Sequence, residues 1–293
     1  MRRAAQAATV DRKAREEAEY FFALRAEEAK ARADGRMVSA PYGPDPTRVQ
    51  RELFDPRHGS SGIRFDEYAE VPVQRSGPGA EPKGPPALSA FDELKGRTFD
   101  VPPFVLANVV RCGYKKPTPI QAHALPLALD SRNDLMCCAQ TGSGKTCGFL
   151  LPVISRMTAA EDVTSRSAAP AAVVMAPTRE LAIQIHHEAC RLTFNPAKKA
   201  QPLRAVVVYG GADAKGQLRE LARGVDILVA TPGRLTDFVD RAVVSLAKVK
   251  HLVLDEADRM LDMGFEPQIR RIVLERDMVR NRAGRGDEFG LSL

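Results

Sequence analysis

Two adjacent carboxylates follow a short apolar run toward the C-terminal end of the chain. The sequence HLVLDEADRML, residues 251–261, places Asp255 and Glu256 at the end of what reads as a buried strand. Two charges side by side at such a position cost free energy unless a cation or a reaction uses them. A divalent cation would offset their repulsion. The pair therefore indicates a reaction in which Asp255 holds a metal and Glu256 orients and deprotonates an attacking water.

A glycine-rich loop offers the site for the anion that such a metal accompanies. The sequence AQTGSGKT, residues 139–146, lies between an apolar run and a helical pattern, and we call it the phosphate loop. Gly142 and Gly144 let the backbone curl so that N–H groups point inward, and the following helix N-terminus adds partial positive charge. Lys145 can bridge the β- and γ-phosphates, and Thr146 can bind Mg²⁺. Although the loop begins with Ala where the strict pattern has Gly, its context favours hydrolysis of a nucleoside triphosphate.

Apolar runs and helix-length stretches alternate after about residue 91. The apolar runs cover residues 134–139, 171–176, 204–210, 225–230 and 251–257. This alternation predicts an α/β fold with a parallel sheet covered by helices on both faces. Because ligands of such sheets bind outside the carboxyl ends of the strands, both acidic residues and the phosphate loop stand where a site is expected.

The N-terminal region has a different character. Residues 11–33 are rich in Ala, Glu, Arg and Lys and predict a helix, with an apolar cluster at Tyr20, Phe21 and Leu24. A solvated or transient helix is the expected form, and a partner-binding helix is the alternative. Residues 34–90 contain Pro- and Gly-rich stretches and predict an extended, largely disordered linker. The folded domain is therefore expected to follow a disordered extension.

Composition limits the class of protein. The net charge of +6 permits a polyanionic partner, and no apolar run approaches the length of a membrane helix. The basic N-terminus lacks the apolar core of a signal peptide. The five cysteines show no zinc-ligand spacing, so we expect reduced thiols in a cytoplasmic or nuclear protein. Cys137 and Cys138 fall on a predicted buried strand.

The residues DEAD, 255–258, resemble the signature of the DEAD-box RNA helicases, and further pieces agree in that family's order. GYKKPTPIQ (113–121) resembles the Q motif, AQTGSGKT motif I, APTREL (176–181) motif Ia, GG (210–211) the intervening position and TPGRL (231–235) motif Ib. Upstream, GIRFDEYAEVPV (62–73) and FDEL (91–94) are similar to the Belle/Vasa-type subfamily of translation and germline helicases.

The resemblance implies one RecA-like P-loop domain, the first lobe of a helicase. It assigns residues 91–279 to that domain, after an N-terminal extension (1–50) and an extended linker (51–90), with a non-family end at 280–293. The second RecA-like lobe, which supplies the arginines that stabilise the transferring phosphoryl, is then absent. We therefore expect this half to bind ATP weakly and hydrolyse it very slowly. The alternative is a lobe that binds nucleotide, RNA or protein without turnover.

The same resemblance assigns the ATP site. Tyr114 would stack on adenine and Gln121 would bind its edge, which selects ATP, while either Phe91 or Phe99 would support the pocket. The residues assigned to ATP are Tyr114, Lys116, Thr118, Gln121, Ala139, Gln140, Thr141, Gly142, Ser143, Gly144, Lys145 and Thr146. Thr146 and Asp255 are assigned to Mg²⁺, and Lys145, Asp255 and Glu256 to catalysis.

The partner implied by the family is RNA, bound through its backbone. The assigned residues are Pro177, Thr178, Arg179, Gly210, Gly211, Thr231, Pro232, Gly233 and Arg234. Thr231 and Pro232 open a helix whose N–H groups would face an anion, and Arg234 would supply a phosphate fork. Such contacts predict little base preference. Translation or mRNP proteins are further expected partners, and no membrane is.

Overall fold

The computed structural model describes residues 2–34, 46–55, 72–77, 84–96, 99, 101–130, 134–159, 167–196 and 203–275. The chain divides into two compact units. The sheet unit comprises Met1–Ala40, Thr164–His186 and Arg204–Leu293, and the helical unit comprises Pro41–Val163 and His187–Leu203.

The elements alternate as the sequence predicts. In chain order they are α1 (Arg2–Ala33), α2 (Pro46–Leu53), a 3₁₀ helix (Phe91–Leu94), α3 (Pro103–Arg111), α4 (Pro119–Asp130), α5 (Lys145–Ala159), β1 (Ala172–Met175), α6 (Arg179–Thr193), β2 (Ala205–Val208), α7 (Ala214–Ala222), β3 (Ile227–Ala230), α8 (Pro232–Asp240), β4 (His251–Leu254), α9 (Ala257–Asp262) and α10 (Glu266–Glu275). None of the helices in these described segments is long and apolar enough to cross a membrane.

Four parallel strands form the sheet in the order β2-β3-β1-β4. Ala172 of β1 lies opposite Ile227 of β3 and His251 of β4. Every residue of β1 and β3 is buried, because central parallel strands are covered on both faces and need continuous apolar runs. The α/β prediction, and four of the five predicted strands, are confirmed in a RecA-like arrangement.

The core of the sheet unit lies between the strands and their connecting helices. Met175 and Leu228 from the strands are buried in one cluster with Leu218 of α7 and with Leu235 and Phe238 of α8. This packing fixes where each strand ends, and the segments that carry the expected RNA contacts follow directly from those ends.

The helical unit is built on α3, α4 and α5. Val109 of α3, Leu125 of α4 and Leu151 of α5 are fully buried. The buried side chain of Asn108 donates to the carbonyl oxygens of Leu192 (3.0 Å) and Phe194 (2.6 Å). Since those carbonyls stand at the C-terminal end of α6, the amide ties α3 to that helix end.

The strand predicted at 134–139 is wrong. The segment pairs with no strand in the described part of the chain, and Met136 is 86% exposed. Cys137 and Cys138 are exposed as well, so their assignment to buried core positions is also wrong. An apolar run satisfies only the side-chain requirement of a strand, because the backbone also needs a hydrogen-bonded neighbour.

The N-terminal helix is confirmed, but the expectation that it is solvated is wrong. Helix α1 begins at Arg2 rather than near residue 11, and Phe21 is only 2% exposed in the core of the sheet unit. The Arg25 guanidinium donates to the carbonyl of Ala222 (3.0 Å). The charged composition of the segment favoured a solvated helix, although its apolar cluster of Tyr20, Phe21 and Leu24 packs into the core.

The predicted linker also contains a helix. Within residues 34–90, α2 has Pro46 at its start, an Arg48–Glu52 ion pair of 2.8 Å and a buried Val49. A proline at the first helical position and an i,i+4 pair both favour helix, which the composition of the whole stretch obscured. The rest of the linker prediction falls mainly on residues outside the described ones, as do residues 62–71 of the Belle/Vasa-like stretch.

Candidate active site and nucleic-acid interface

The phosphate loop runs into α5, which begins at Lys145. Gly142 and Gly144 have φ angles of 81° and 88°, in the left-handed region that favours glycine. A Cβ on Gly144 would lie 2.5 Å from Nε2 of Gln121, so this position also lacks room for a side chain. The Lys145 ammonium donates to the carbonyl oxygens of Ala139 and, at 3.1 Å, Gln140. The loop thus curls around its own cation.

Gln121 joins the Q-motif segment to this loop. Its Oε1 accepts from the backbone N–H of Thr118 (3.0 Å), and its Nε2 donates to the carbonyl of Gly144 (2.9 Å). A carboxamide has two N–H donors and two acceptor lone pairs. One donor and one lone pair therefore remain for the edge of a base, while the other two hold the loop.

Two hydroxyls beside these residues have unmet hydrogen-bonding capacity. Thr118 is 1% exposed and Ser143 6%, and neither Oγ1 of the first nor Oγ of the second has a hydrogen-bond partner among the described residues. Unsatisfied buried hydroxyls cost free energy, and proteins seldom keep them without a function. Together with the inward-curled loop and its ammonium, they fit a polar, anionic ligand such as a nucleotide.

Tyr114 lies in the same unit and is held at both ends. Its ring lies 6.4 Å from that of Phe91, centroid to centroid, which makes Phe91 rather than Phe99 the supporting aromatic residue. Its hydroxyl donates to Oε1 of Glu188 (2.7 Å). Burial, and then the negative charge of Glu188, raise the pKa of Tyr114 far above its usual value. The phenol therefore remains a neutral donor.

Glu188 is a residue that sequence reasoning missed. Its Oε2 lies 3.5 Å from Nη1 of Arg191, and Nε of Arg191 donates to the carbonyl of Leu53 (2.7 Å) at the end of α2. The only sequence signal was the i,i+3 spacing of the two charges on α6, which usually marks a solvated pair. Here the pair is buried and connects α2 to Tyr114.

The buried thiols belong to the same neighbourhood. Cys147 is fully buried, and burial, reinforced by Glu188, raises its pKa well above the ordinary value for a thiol. A protonated, enclosed thiol is chemically inert. The expectation of reduced core cysteines thus holds for Cys147 and for the buried Cys190.

The acidic pair lies in the sheet unit, directly after β4. The backbone N–H of Asp255 donates to the carbonyl of Met175 (3.0 Å), which extends the strand pairing by one residue, and its side chain is buried. Glu256 has a φ of 52°, a left-handed conformation that is unfavourable for a residue with a Cβ. Its carboxylate lies 3.7 Å from Nη1 of Arg259. Such outliers cluster at functional sites, consistent with the roles predicted for both residues.

A second glycine-containing loop, residues 209–212, follows β2, and we call it the glycine-pair loop. Gly211 has a φ of 77°, and the N–H of Gly210 donates to Oγ1 of Thr231 (3.4 Å). Thr231 precedes Pro232, the first residue of α8. A Cβ on Gly210, Gly211 or Gly233 would meet nothing within 4 Å, so the space over these glycines is open. Two of the predicted RNA motifs therefore lie together beside unobstructed backbone.

Arg234 is directed at the glycine-pair loop. Its Nε donates to the carbonyl of Tyr209 (3.1 Å) and its Nη2 to that of Ala212 (3.0 Å). The guanidinium also lies 5.2 Å from the ring centre of Phe238. These two bonds use two of the five N–H donors of a guanidinium, so the predicted phosphate contact stays a prediction. Arg234 positions that loop.

Motif Ia reaches the same loop from α6. Oγ1 of Thr178 accepts from the N–H of Leu181 (3.3 Å), as in a helix N-cap. The Arg179 guanidinium lies 5.9 Å from the ring centre of Tyr209 and 3.2 Å from a Glu180 oxygen, and its side chain stays half exposed. The Arg179 guanidinium can therefore contact a ligand at this surface.

Comparisons with known proteins agree with this geometry. The sequence model of the DEAD/DEAH box helicase family matches residues 118–282, more than half of the chain. The yeast DEAD-box splicing factor Prp28 is 33% identical over 66% of this chain and 43% of its own, with a TM-score of 0.59. The RNA helicase Prp28 from Chaetomium thermophilum, solved bound to ADP, is 37% identical over 64% of this chain and 43% of its own, with a TM-score of 0.56.

The chain thus spans less than half the length of either solved structure, and the matched portion corresponds to a RecA-like α/β domain. The family match covers the Q-motif threonine, the phosphate loop, both predicted RNA motifs after β1 and β3, and the acidic pair. By this match the chain belongs to the DEAD/DEAH box helicase family.

Proposed function

We propose that this chain is the ATP-binding lobe of an ATP-dependent RNA helicase, which binds Mg²⁺-ATP and the RNA backbone to remodel RNA. Family membership supports the helicase class. The observation that carries the nucleotide site is the phosphate loop held by Gln121, with the unpartnered hydroxyls of Thr118 and Ser143 beside it.

The roles in the nucleotide site follow from the donors present. Lys145 and the loop N–H groups bind the phosphates, and Gln121 and Tyr114 bind adenine, with Lys116 at the exposed margin. Thr146 and Asp255 offer the hydroxyl and carboxylate oxygens that Mg²⁺ prefers. When bound, the metal neutralises charge on the phosphates, and Glu256 accepts the proton of the attacking water.

The proposed RNA surface consists of the glycine-pair loop, the start of α8 and the start of α6. Open backbone at Gly210, Gly211 and Gly233 admits a sugar-phosphate chain, and Thr178, Arg179 and Thr231 supply donors. Pro177 and Pro232 fix the entry of the two helices. Contacts of this kind read the backbone, so affinity should depend on salt more than on base sequence.

The nucleotide site is tested by titrating a fluorescent ATP analogue against the protein. Lys145→Ala should weaken binding by roughly tenfold or more, because one charge-assisted contact to phosphate is lost. Lys215→Ala, which removes an exposed lysine of α7, is the matched control and should leave the affinity unchanged. Equal affinities for wild type and Lys145→Ala would overturn the proposal.

A lobe that binds nucleotide, RNA or protein without turnover is the second candidate. ATP turnover with and without RNA separates the two. Turnover that RNA stimulates and Glu256→Gln abolishes supports an enzyme, whereas nucleotide binding without turnover supports the lobe. Glu266→Gln, at an exposed pair with Arg270 on α10, is the control.

The cellular process is proposed to be mRNA metabolism, in the cytoplasm or nucleus. The Belle/Vasa-like residues 62–73 and 91–94 favour translation and mRNP partners, while the similarity to the splicing factor Prp28 favours splicing. Crosslinking the protein to RNA in cells distinguishes them, because spliced mRNA would be recovered in the first case and intron-containing RNA in the second.

A further inference from the structure

Helix α1 lies outside the residues that match the family, yet it packs into the sheet unit. Phe21 belongs to the same buried cluster as Phe238 of α8, with Tyr20 and Leu24 packed against it. At the other end of the helix, Arg32 donates to the carbonyl of Arg223 (3.3 Å). Helix α1 therefore contacts the sheet unit through apolar side chains near its centre and through a hydrogen bond near its C-terminal end.

A buried ion pair joins α1 to the end of α8. Oε2 of Glu17 lies 2.7 Å from Nη1 of Arg241, and the two side chains are only 10% and 11% exposed. Nη2 of Arg241 lies 2.6 Å from Asp237, so the guanidinium has one partner on each helix. Two hydrogen-bonded carboxylates fix its plane, and geometry of this kind is where ion pairs contribute orientation.

The fixed guanidinium stacks on an aromatic ring that a second guanidinium shares. Cζ of Arg241 lies 5.0 Å from the ring centre of Phe238, and Cζ of Arg234 lies 5.2 Å from the same centre. Phe238 is fully buried. Each guanidinium gains from the ring only while it stays over a face of the ring, so a shift of Phe238 would disturb both.

Arg234 ends this series at the glycine-pair loop, where it donates to the carbonyl oxygens of Tyr209 and Ala212. A continuous set of contacts thus runs from Glu17 through Arg241, Phe238 and Arg234 to the loop. Glu17 and the glycine-pair loop are far apart in the sequence. The restraint that α1 places on the loop therefore depends on tertiary contacts.

We propose that α1 is an intramolecular brace, in which Glu17 and Phe21 position the glycine-pair loop for RNA through Arg241, Phe238 and Arg234. The proposal rests on the RNA-binding role given above for that loop. Glu17 and Phe21 are positioning residues and are not assigned any contact with RNA. When α1 is loosened, the loop samples more conformations and the RNA affinity falls.

The structural part of the proposal is tested by amide hydrogen exchange, which needs no RNA. The N–H groups of Tyr209 and Gly210 donate to Gln217 (3.0 Å) and Thr231 (3.4 Å), so their exchange reports opening of the loop. Glu17→Gln keeps the shape of the side chain, and Arg241 retains Asp237 as a partner, so the unit stays folded. We expect faster exchange at the loop and unchanged exchange in β1 and β3.

Neighbours on α1 supply matched controls. Glu16→Gln changes an exposed carboxylate that pairs with Arg12 at 3.6 Å, and Phe22→Ala removes a half-exposed ring next to Phe21. Neither should alter exchange at the glycine-pair loop, whereas Phe21→Ala should raise it. Unchanged loop exchange in both Glu17→Gln and Phe21→Ala, or a uniform increase across all strands, would overturn the brace.

The functional part is tested by fluorescence anisotropy with labelled oligouridine and a Mg²⁺-bound, non-hydrolysable ATP analogue. Glu17→Gln should lower the RNA affinity roughly threefold to tenfold, with unchanged affinity for the nucleotide. If wild type binds RNA and Glu17→Gln binds it equally well, the coupling is refuted. If wild type binds no RNA while loop exchange responds to Glu17→Gln, the RNA role of the loop is wrong and the brace stands.

Discussion

The Gln121 carboxamide and the Lys145 ammonium bond the phosphate loop, whereas the Arg234 guanidinium bonds the glycine-pair loop. In the helical unit, the Gln121 carboxamide bonds both Thr118 and Gly144, and the adjoining hydroxyls are left without partners. In the sheet unit, Arg234 grips both ends of its loop, and the space over Gly211 is open. The phosphate loop leaves no room for a side chain at Gly144. The glycine-pair loop is open over Gly211 and is held at both ends by Arg234. A compact triphosphate suits the former and a long polyanion suits the latter.

The largest effect that this contrast predicts is at one positive-φ glycine of each loop, Gly144 and Gly211. Gly144→Ala combines a left-handed conformation with a 2.5 Å contact to Gln121, so it should destabilise the protein by roughly 2–4 kcal/mol and abolish ATP binding. Gly211→Ala meets no atom within 4 Å and should cost only about 1 kcal/mol. Thermal denaturation measures the loss of stability in both variants.

A third glycine serves as the control for this comparison. Gly216 lies within α7, in open space and without a positive φ, so Gly216→Ala should leave stability unchanged or raise it by up to about 1 kcal/mol. If Gly144→Ala proved no more damaging than Gly211→Ala, the claim that the phosphate loop is the more tightly filled would be wrong.

The next effect concerns the two bonds from the Arg234 guanidinium to the glycine-pair loop. Arg234→Lys cannot bond the carbonyls of Tyr209 and Ala212 together in a fixed fork, so RNA affinity should fall by about tenfold, or roughly 1.4 kcal/mol. Nucleotide affinity should not change. Arg270→Lys, at an exposed pair on α10, controls for the loss of a guanidinium. A parallel loss of nucleotide binding in Arg234→Lys would contradict the separation of the two roles.

A smaller effect is expected at the aromatic residue of the nucleotide site. Tyr114→Phe removes the hydroxyl that donates to Glu188 and keeps the ring, while Glu188 retains Arg191. Loss of this hydrogen bond should destabilise the protein by about 1 kcal/mol and weaken the ATP analogue only a few-fold. Tyr20→Phe on α1 is the control. A loss of ATP affinity as large as that of Lys145→Ala would show that the hydroxyl itself binds the ligand.

The smallest effect is a pH dependence at the start of β2, the strand that leads to the glycine-pair loop. Nε2 of His186 lies 3.3 Å from the carbonyl of Ala205, the first residue of β2, and burial lowers the pKa of His186 below 6.5. The unfolded chain therefore binds more protons between the lowered pKa and 6.5, so stability falls as pH drops through that window. His186→Gln should reduce the fall in melting temperature between pH 7.5 and pH 5.5. An unchanged fall in that variant would exclude His186 as its source.

Local patterns predicted those parts of the molecule that local physics decides. Continuous apolar runs predicted β1 to β4 correctly, and in the central strands β1 and β3 every residue is buried on the covered sheet. Residues 134–139 have the same composition but no partner strand in the described structure, and pairing is a property of two segments. Gly144 and Lys145 were identified because loop, cation and helix start lie within a few residues.

Residues that act across long sequence distances were missed or misassigned. Glu188 reads as a solvated helical charge until the fold brings Tyr114 to it. The bonds from Arg234 to the glycine-pair loop were missed, since nothing in the sequence places two backbone carbonyls within its reach. The docking of α1 is centred on Phe21 and on the buried ion pair of Glu17, in a helix whose composition is that of a solvent-exposed one.

The left-handed backbone at Glu256, with its φ of 52°, sets the demands of folding against those of chemistry at one position. Selection for stability alone would favour glycine there, since glycine adopts that φ angle without a steric penalty. A carboxylate at this position costs conformational free energy, and only a role in nucleotide hydrolysis would favour keeping it. A related protein that no longer hydrolyses a nucleotide could replace it with glycine.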